Sequence, residues 1–401
     1  MRISDRVQRL ERSITLAVAA RTRELRAEGH DIIGFTIGEP DFDTPAHIKA
    51  AAFAALGRGA TKYTAVAGIQ ELRKAVADEL SGVHGVTIAA EEVLVSTGAK
   101  QALFNLMHVL CDPGDEVIVP TPCWPSHVEL ARMAGATPVL LPQRPEDGFS
   151  LDAAQLAAAI TPRTRVVLLN SPTNPTGAVY DEEALGRIAQ VLREALDRNP
   201  DLTIVTDDLY RRLVYPPARF CSILHVAPDL WPRVVLVDGV SKTYAMTGWR
   251  IGYVAAPRPL IEAMDSLQGQ VTTNAAAVAQ HAALAAITGE QAPVQAMIDE
   301  FDRRRQVMCA ALTALPGVRL CEPRGAFYCF PDFSAYLQPH RGLPDDVALA
   351  DYLMTEAGVA AIPGSGFYAP GFLRFSYATS LPLIEEGMRR LAAGLQRLRS
   401  A

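Results

Sequence analysis

A lysine that directly follows a buried strand, with small residues around it, can be held partly out of water. Desolvation disfavours its ammonium form, and the amine becomes available as a nucleophile or base. Lys242 has this setting in the string Gly239-Val240-Ser241-Lys242-Thr243-Tyr244-Ala245-Met246-Thr247-Gly248-Trp249-Arg250-Ile251-Gly252. Past the glycine-containing turn, Arg250 can return toward the same pocket as an anion clamp. Asp207 closes an apolar run, where an α/β sheet displays its ligand groups. Gly98-Ala99-Lys100 leads from a strand into a helix, whose first amides can receive a phosphate. Read singly, each residue has a plainer account: a surface lysine, an ordinary strand-to-helix turn, a strand arginine in a surface ion pair.

The elements that must position these groups alternate. Helices are expected at Ile48 to Leu56, Ile69 to Leu80, Gln101 to Leu110, Val128 to Ala134 and Glu182 to Ala195. Short apolar strands are expected at Val93 to Val95, Glu116 to Val119, Val166 to Leu169, Leu202 to Thr206 and Val234 to Val237. Strands bounded by long helices predict an α/β fold, a mostly parallel central sheet with flanking helices on both faces. After Arg258 an Ala-rich helical region runs from Pro259 to about Leu315. Pro316-Gly317 then opens a smaller α+β part with strands at Gly325 to Phe330 and Leu373 to Tyr377. An N-terminal helix, about Ile14 to Glu28, has no place in the central sheet and is expected to pack on the C-terminal part.

A chain of 401 residues, 49% hydrophobic, buries a large core without disulfides or structural metals. Its net charge of −6 leaves no basic excess for phosphate backbones, which argues against a nucleic-acid partner. The N-terminus is too charged for a signal peptide, and every apolar run stops short of a bilayer span. No membrane association and a cytoplasmic location are therefore expected. The six scattered cysteines show no zinc spacing and read as buried apolar residues of a reducing compartment; no metal is expected. The eight histidines are scattered as well and are expected in surface or packing roles.

The lysine string resembles the signature of class I and II pyridoxal-phosphate (PLP) aminotransferases, and the resemblance covers nearly the whole chain. Ile37-Gly38-Glu39-Pro40-Asp41-Phe42 is similar to the family's substrate loop, and Lys62-Tyr63-Thr64 to its tyrosine segment. Asn170 to Gly177 resembles its asparagine loop, Thr206-Asp207-Asp208-Leu209-Tyr210 its aspartate–tyrosine motif, and Leu373-Arg374-Phe375-Ser376 its carboxylate-binding arginine. The likeness is strongest to the bacterial aspartate aminotransferases of the branch that includes prephenate-using enzymes. It implies the PLP-dependent transferase fold type I. It divides the chain into an N-terminal segment (1–45) joining the small domain, a large PLP-binding domain (46–290) and a small C-terminal domain (291–401).

The same resemblance assigns roles. Lys242 carries the cofactor and moves a proton at the substrate Cα in a ping-pong exchange between an L-amino acid and a 2-oxo acid. Ala99, Lys100, Ser241 and Arg250 hold the phosphate, together with Tyr63 from the neighbouring subunit, so a homodimer with shared active sites is implied. Asp207 faces the pyridine nitrogen, where an opposite charge keeps it protonated. Its neighbour Asp208 is expected to be a helix cap or a solvated acid. Asn174 and Tyr210 hold the phenolic oxygen, Trp124 stacks on the ring, and Asn174-Pro175 is a candidate cis bond. Arg374, through a bidentate fork that lysine cannot reproduce, and the Gly38 amide take the substrate α-carboxylate.

The substrate side chain is more open. Lys100 matches a lysine that some relatives use for a distal carboxylate, which favours aspartate and glutamate; the equal alternative is a phosphate-loop lysine facing solvent. Ser13-Ile14-Thr15-Leu16 resembles a mobile substrate segment, with Thr15 in the expected place. Glu11 stands where prephenate-using relatives carry lysine, and Gln268 to Thr273 lacks the arginine of another aspartate aminotransferase branch. A PLP lyase on the same fold, a regulator's PLP domain and a nicotinamide enzyme are the competing classes. The second has no room for a DNA-binding module before Gly38, and the third lacks an early G-x-G-x-x-G.

Overall fold

The computed structural model describes residues 2–8, 10 and 14–400. Glu11 and Ser13, named above, lie outside the described residues. Strand β1 (Ile33–Gly34) comes first. Then β2 (Val93–Ser96), β3 (Glu116–Thr121), β4 (Thr137–Pro142), β5 (Thr164–Asn170), β6 (Thr203–Asp207), β7 (Val234–Gly239) and β8 (Gly252–Ala255) form a seven-stranded sheet in the order β2-β8-β7-β6-β5-β3-β4. Only β8 runs against its neighbours, β2 and β7. The mostly parallel sheet is as expected, but β4 and β8 are additional to the expected strands. β8 lies in the continuation of the lysine string, and β4 is a short segment closed by Pro142.

Strand side chains alternate in direction, and both sheet faces are apolar. Val93, Val95, Ile118, Val167 and Leu169 enter one core, with helices Ala46–Gly57, Gln70–His84, Glu182–Leu196 and Ala277–Thr288. Leu94, Val117, Val119, Val166 and Leu168 enter the opposite one, with helices Ala99–Leu110, Pro125–Met133 and Arg258–Val271. Each expected helix is found, with ends displaced by a few residues. The Ala-rich region divides into Arg258–Val271, Ala277–Thr288 and Ala292–Thr313; Thr273, at φ 62°, stands in the first break.

A third core belongs to the C-terminal part, around β9 (Tyr328–Cys329), β10 (Val359–Ala360), β11 (Ile362–Pro363) and β12 (Leu373–Ser376). β12 pairs antiparallel with β11 and β9, and β10 pairs in parallel with β1. The strand expected over Gly325 to Phe330 shrinks to β9 because Ala326 adopts a left-handed φ of 57°, which a continuous strand cannot hold. The N-terminal helix Ile14–Ala27 sets Leu25 against Met354 and Ala360. Helix Ala292–Thr313 places Val294 and Met297 in the first core and Phe301, Met308 and Leu312 in the third. All six cysteines are unpaired and five are buried. Among the described residues, no helix is long and apolar enough to cross a membrane.

Candidate active site

The parallel strands end, and the antiparallel β8 begins, at one edge of the sheet, so the loops after β2, β3, β5, β6 and β7 and before β8 converge there. They enclose a cavity of about 620 Å³. Thr15, Gly38, Ala99, Lys100, Trp124, Asn174, Asp207, Tyr210, Ser241, Lys242, Arg250 and Arg374 all line it. Tyr63 does not: it is 88% exposed on the protein surface.

Lys242, just past β7, donates from Nζ to the Gly38 carbonyl at 2.5 Å. Burial pulls its ammonium down to about 8; Glu39 opposes this, and Arg374 and Arg250 add to it. A usable fraction of free amine therefore exists near neutrality, as a nucleophile or base requires.

Asp207, the last residue of β6, is buried on the cavity wall, with Oδ2 2.8 Å from His127 Nε2 and Oδ1 accepting the Leu209 amide at 3.3 Å. His127 is therefore more than the packing histidine expected from its isolated position. It is 1% exposed, bonded to the site carboxylate, and set edge-on to the Trp124 ring with centroids 5.3 Å apart. The available signal was its place in the first turn of helix Pro125–Met133, right after Trp124.

Asp208 also departs from expectation. It neither caps a helix nor meets solvent: it is buried, and its carboxylate accepts from Thr206 Oγ1 at 2.9 Å. Burial, reinforced by Asp238, holds its carboxyl well above the usual carboxylate range. The nearby guanidinium of Arg211 is engaged by Asp238 and Glu79.

At the cavity's other end, the first amides of helix Ala99–Leu110 are the orphan donors of any helix start. The backbone is stripped of side chains where these elements meet. A Cβ on Gly98 would come within 2.5 Å of Arg250 Nη2, and one on Gly252 within 2.2 Å of the Ala99 nitrogen. Arg250, in the left-handed region at φ 56°, is anchored by Nη1 donating to the Thr247 carbonyl at 2.8 Å. Ser241 is buried beside Lys242. Lys100 places Nζ 4.7 Å from the Trp124 ring centroid, and partial burial followed by Arg250 lowers its pKa.

Arg374 on β12 is 3% exposed. Its Nη1 donates to Asn174 Oδ1 and its Nη2 to the Thr36 carbonyl, each at 3.0 Å, while Nε has no partner. The guanidinium lies 4.4 Å from the Tyr328 ring centroid and 4.9 Å from that of Phe367. Its hydrogen-bond partners are neutral, so a buried cation faces the cavity without an anion. Because Asn174 uses its oxygen on Arg374, its amide nitrogen is the group left to donate. The Asn174–Pro175 bond is cis, and so is Ser171–Pro172. Tyr210 pairs its hydroxyl with that of Tyr328 at 2.9 Å, and burial keeps the Tyr210 phenol neutral far above ordinary pH. Sequence reasoning did not single out Tyr328; it lies inside an expected strand with no motif residue beside it.

An amine, a carboxylate, a guanidinium without an anion and a helix start thus share one enclosed space. Comparison with known proteins gives the same outline. The pattern of the family described as aminotransferase class I and II matches residues 30–391. An aspartate/prephenate aminotransferase of Nitrosomonas europaea is 43% identical over 98% of this chain and 99% of its own. An aspartate aminotransferase of Geobacillus stearothermophilus is 42% identical over 98% of each. Among solved structures, the Thermus thermophilus aspartate aminotransferase with maleate superposes with a TM-score of 0.91 at 43% identity, covering 98% of this chain and 100% of that one.

Proposed function

The chain belongs to the class I and II aminotransferases, and we propose that it holds pyridoxal 5′-phosphate on Lys242 and exchanges amino groups between acidic L-amino acids and 2-oxo acids. That it is an aminotransferase of the fold type I architecture follows from the family. The family uses PLP. The residues fit that group on one observation above all: the depressed Lys242 amine, the Asp207 carboxylate and the Arg374 guanidinium, whose Nε has no partner, face a single cavity of about 620 Å³.

When bound, the cofactor supplies an electron sink that makes the substrate Cα–H bond acidic. The chain's own residues do the rest. In this reading the amides opening helix Ala99–Leu110, Lys100 included, with Ser241 and Arg250, bind the phosphate dianion. Asp207, backed by His127, keeps the ring nitrogen protonated. Asn174 and Tyr210 offer neutral donors to the phenolic oxygen, and Trp124 covers a ring face. Arg374 takes the α-carboxylate in a bidentate fork with the Gly38 loop alongside, and Lys242 carries the proton at Cα. The exposed Tyr63 belongs, on this proposal, to the neighbouring active site of a homodimer. The domain division at 45/46 and 290/291 and a cytoplasmic location are part of the same reading.

Lys100, leaning over Trp124, and Thr15 on the cavity wall favour a second carboxylate, hence aspartate and glutamate ahead of aromatic donors. Incubation of the holoenzyme with aspartate, glutamate, phenylalanine or alanine, without an acceptor, tests this. Acidic donors are expected to release one equivalent of 2-oxo acid per site and then stop until an acceptor is added. Continuous turnover without an acceptor would contradict transamination, and equal rates for all four donors would remove the second-carboxylate role of Lys100.

Arg374→Lys preserves the charge but not the fork. A charge-assisted hydrogen bond is worth roughly 1.5–3 kcal/mol, so KM for the donor is expected to rise about 10- to 100-fold, with kcat changing less. An unchanged KM in steady-state assays would take Arg374 out of substrate binding.

A further inference from the structure

Tyr328 on β9 is fully buried and touches three parts of the site at once. Its hydroxyl meets the Tyr210 hydroxyl at 2.9 Å, and its ring carries the Arg374 guanidinium at 4.4 Å. Its oxygen also approaches Gly38 closely enough that a Cβ there would lie 3.2 Å from it.

Two hydroxyls in contact share one hydrogen bond, so one donates and the other keeps its proton free. If Tyr210 donated to Tyr328, it would have no proton left for a ligand. We infer that Tyr328 is a positioning residue that donates to Tyr210, freeing the Tyr210 proton for the cofactor's phenolic oxygen, while its ring face holds the Arg374 fork. The Arg374 cation over the ring favours this direction, since positive charge on the face of a phenol strengthens its O–H as a donor.

This inference rests on the PLP reading above, and the test separates the two. A donor on the phenolic oxygen withdraws electron density and keeps the cofactor-linked Lys242 nitrogen less basic. Tyr328→Phe removes the hydrogen bond that strengthens Tyr210 as that donor and keeps the ring. In the holoenzyme, the pH midpoint of the bound cofactor's visible absorbance is expected to rise by about 0.1 to 0.3 unit, the cooperative share of one neutral hydrogen bond. The charged and titratable groups facing this region remain in place: Asp207, Tyr210 and Arg374 around the phenols, and Glu39 and Arg250 beside Lys242. KM for the donor is expected to stay within about twofold in Tyr328→Phe and to rise in Tyr328→Leu, which also removes the ring from Arg374.

A double-mutant cycle keeps the inference falsifiable apart from folding effects. On a Tyr210→Phe background, Tyr328→Phe is expected to produce no further midpoint shift. Normal cofactor occupancy with an unmoved midpoint in the single variant, or full additivity in the cycle, would overturn the role of Tyr328. A wild-type protein that acquires no visible band with PLP would instead overturn the cofactor reading.

Discussion

Lys242→Ala is expected to lower turnover by at least about 10⁴-fold, the upper range for a positioned acid–base group, while leaving the fold intact. The amine is enclosed, its pKa is drawn down to about 8, and its hydrogen bond goes to a neutral carbonyl, that of Gly38. A cation placed there is not a stabilising feature, because the cost of its burial outweighs the attraction of Glu39. Removing it is therefore expected to leave the thermal midpoint unchanged or slightly higher, so lost activity cannot be mistaken for unfolding. The covalent visible band should vanish, and borohydride should leave no adduct. Lys242→Arg, which restores charge but cannot give up a proton at working pH, should be equally inactive. An alanine variant with turnover within tenfold of wild type would remove Lys242 from the chemistry.

The second large effect is expected at Asp207. Asp207→Ala takes away the carboxylate that His127 and the Leu209 amide orient toward the cavity. A ring nitrogen facing that gap would lose the opposite charge that keeps it protonated, and turnover should fall by orders of magnitude while PLP binds more weakly. The adjacent acid is the control. The Asp208 carboxyl is held above the usual range by burial and by Asp238, and an amide matches it in size. Asp208→Asn should keep the Thr206 hydrogen bond and retain turnover within a few-fold. Full activity in Asp207→Ala, or its collapse in Asp208→Asn, measured by steady-state rates and equilibrium PLP titration, would exchange the two assignments.

What could be read from the chain alone was what lies close together along it. The string from Gly239 to Gly252 concentrates Lys242, Ser241 and Arg250 in one loop, and the run ending at Asp207 marks a strand end in its own composition. Alternating apolar runs announced the layered sheet for the same reason. His127 and Tyr328 were not legible, because their significance comes from partners distant in sequence: Asp207 for one, Tyr210 and Arg374 for the other. Asp208 was misjudged because an acid next to a ligand-facing residue points to the opposite side of the strand end, and only the packing of Asp238, His84 and Arg211 makes that side interior. The strand reaching back to Gly325 failed at a backbone angle, that of Ala326, which composition does not encode.

Helix Ala292–Thr313 draws its first turns into the sheet's core and its later turns into the C-terminal one. A rod embedded at both ends allows neither core to melt alone without tearing packed residues from the survivor. Loosening of the C-terminal core is accordingly expected to loosen the sheet's core as well, and damage there weakens the ground on which Lys242 stands, even though no residue near that lysine has changed.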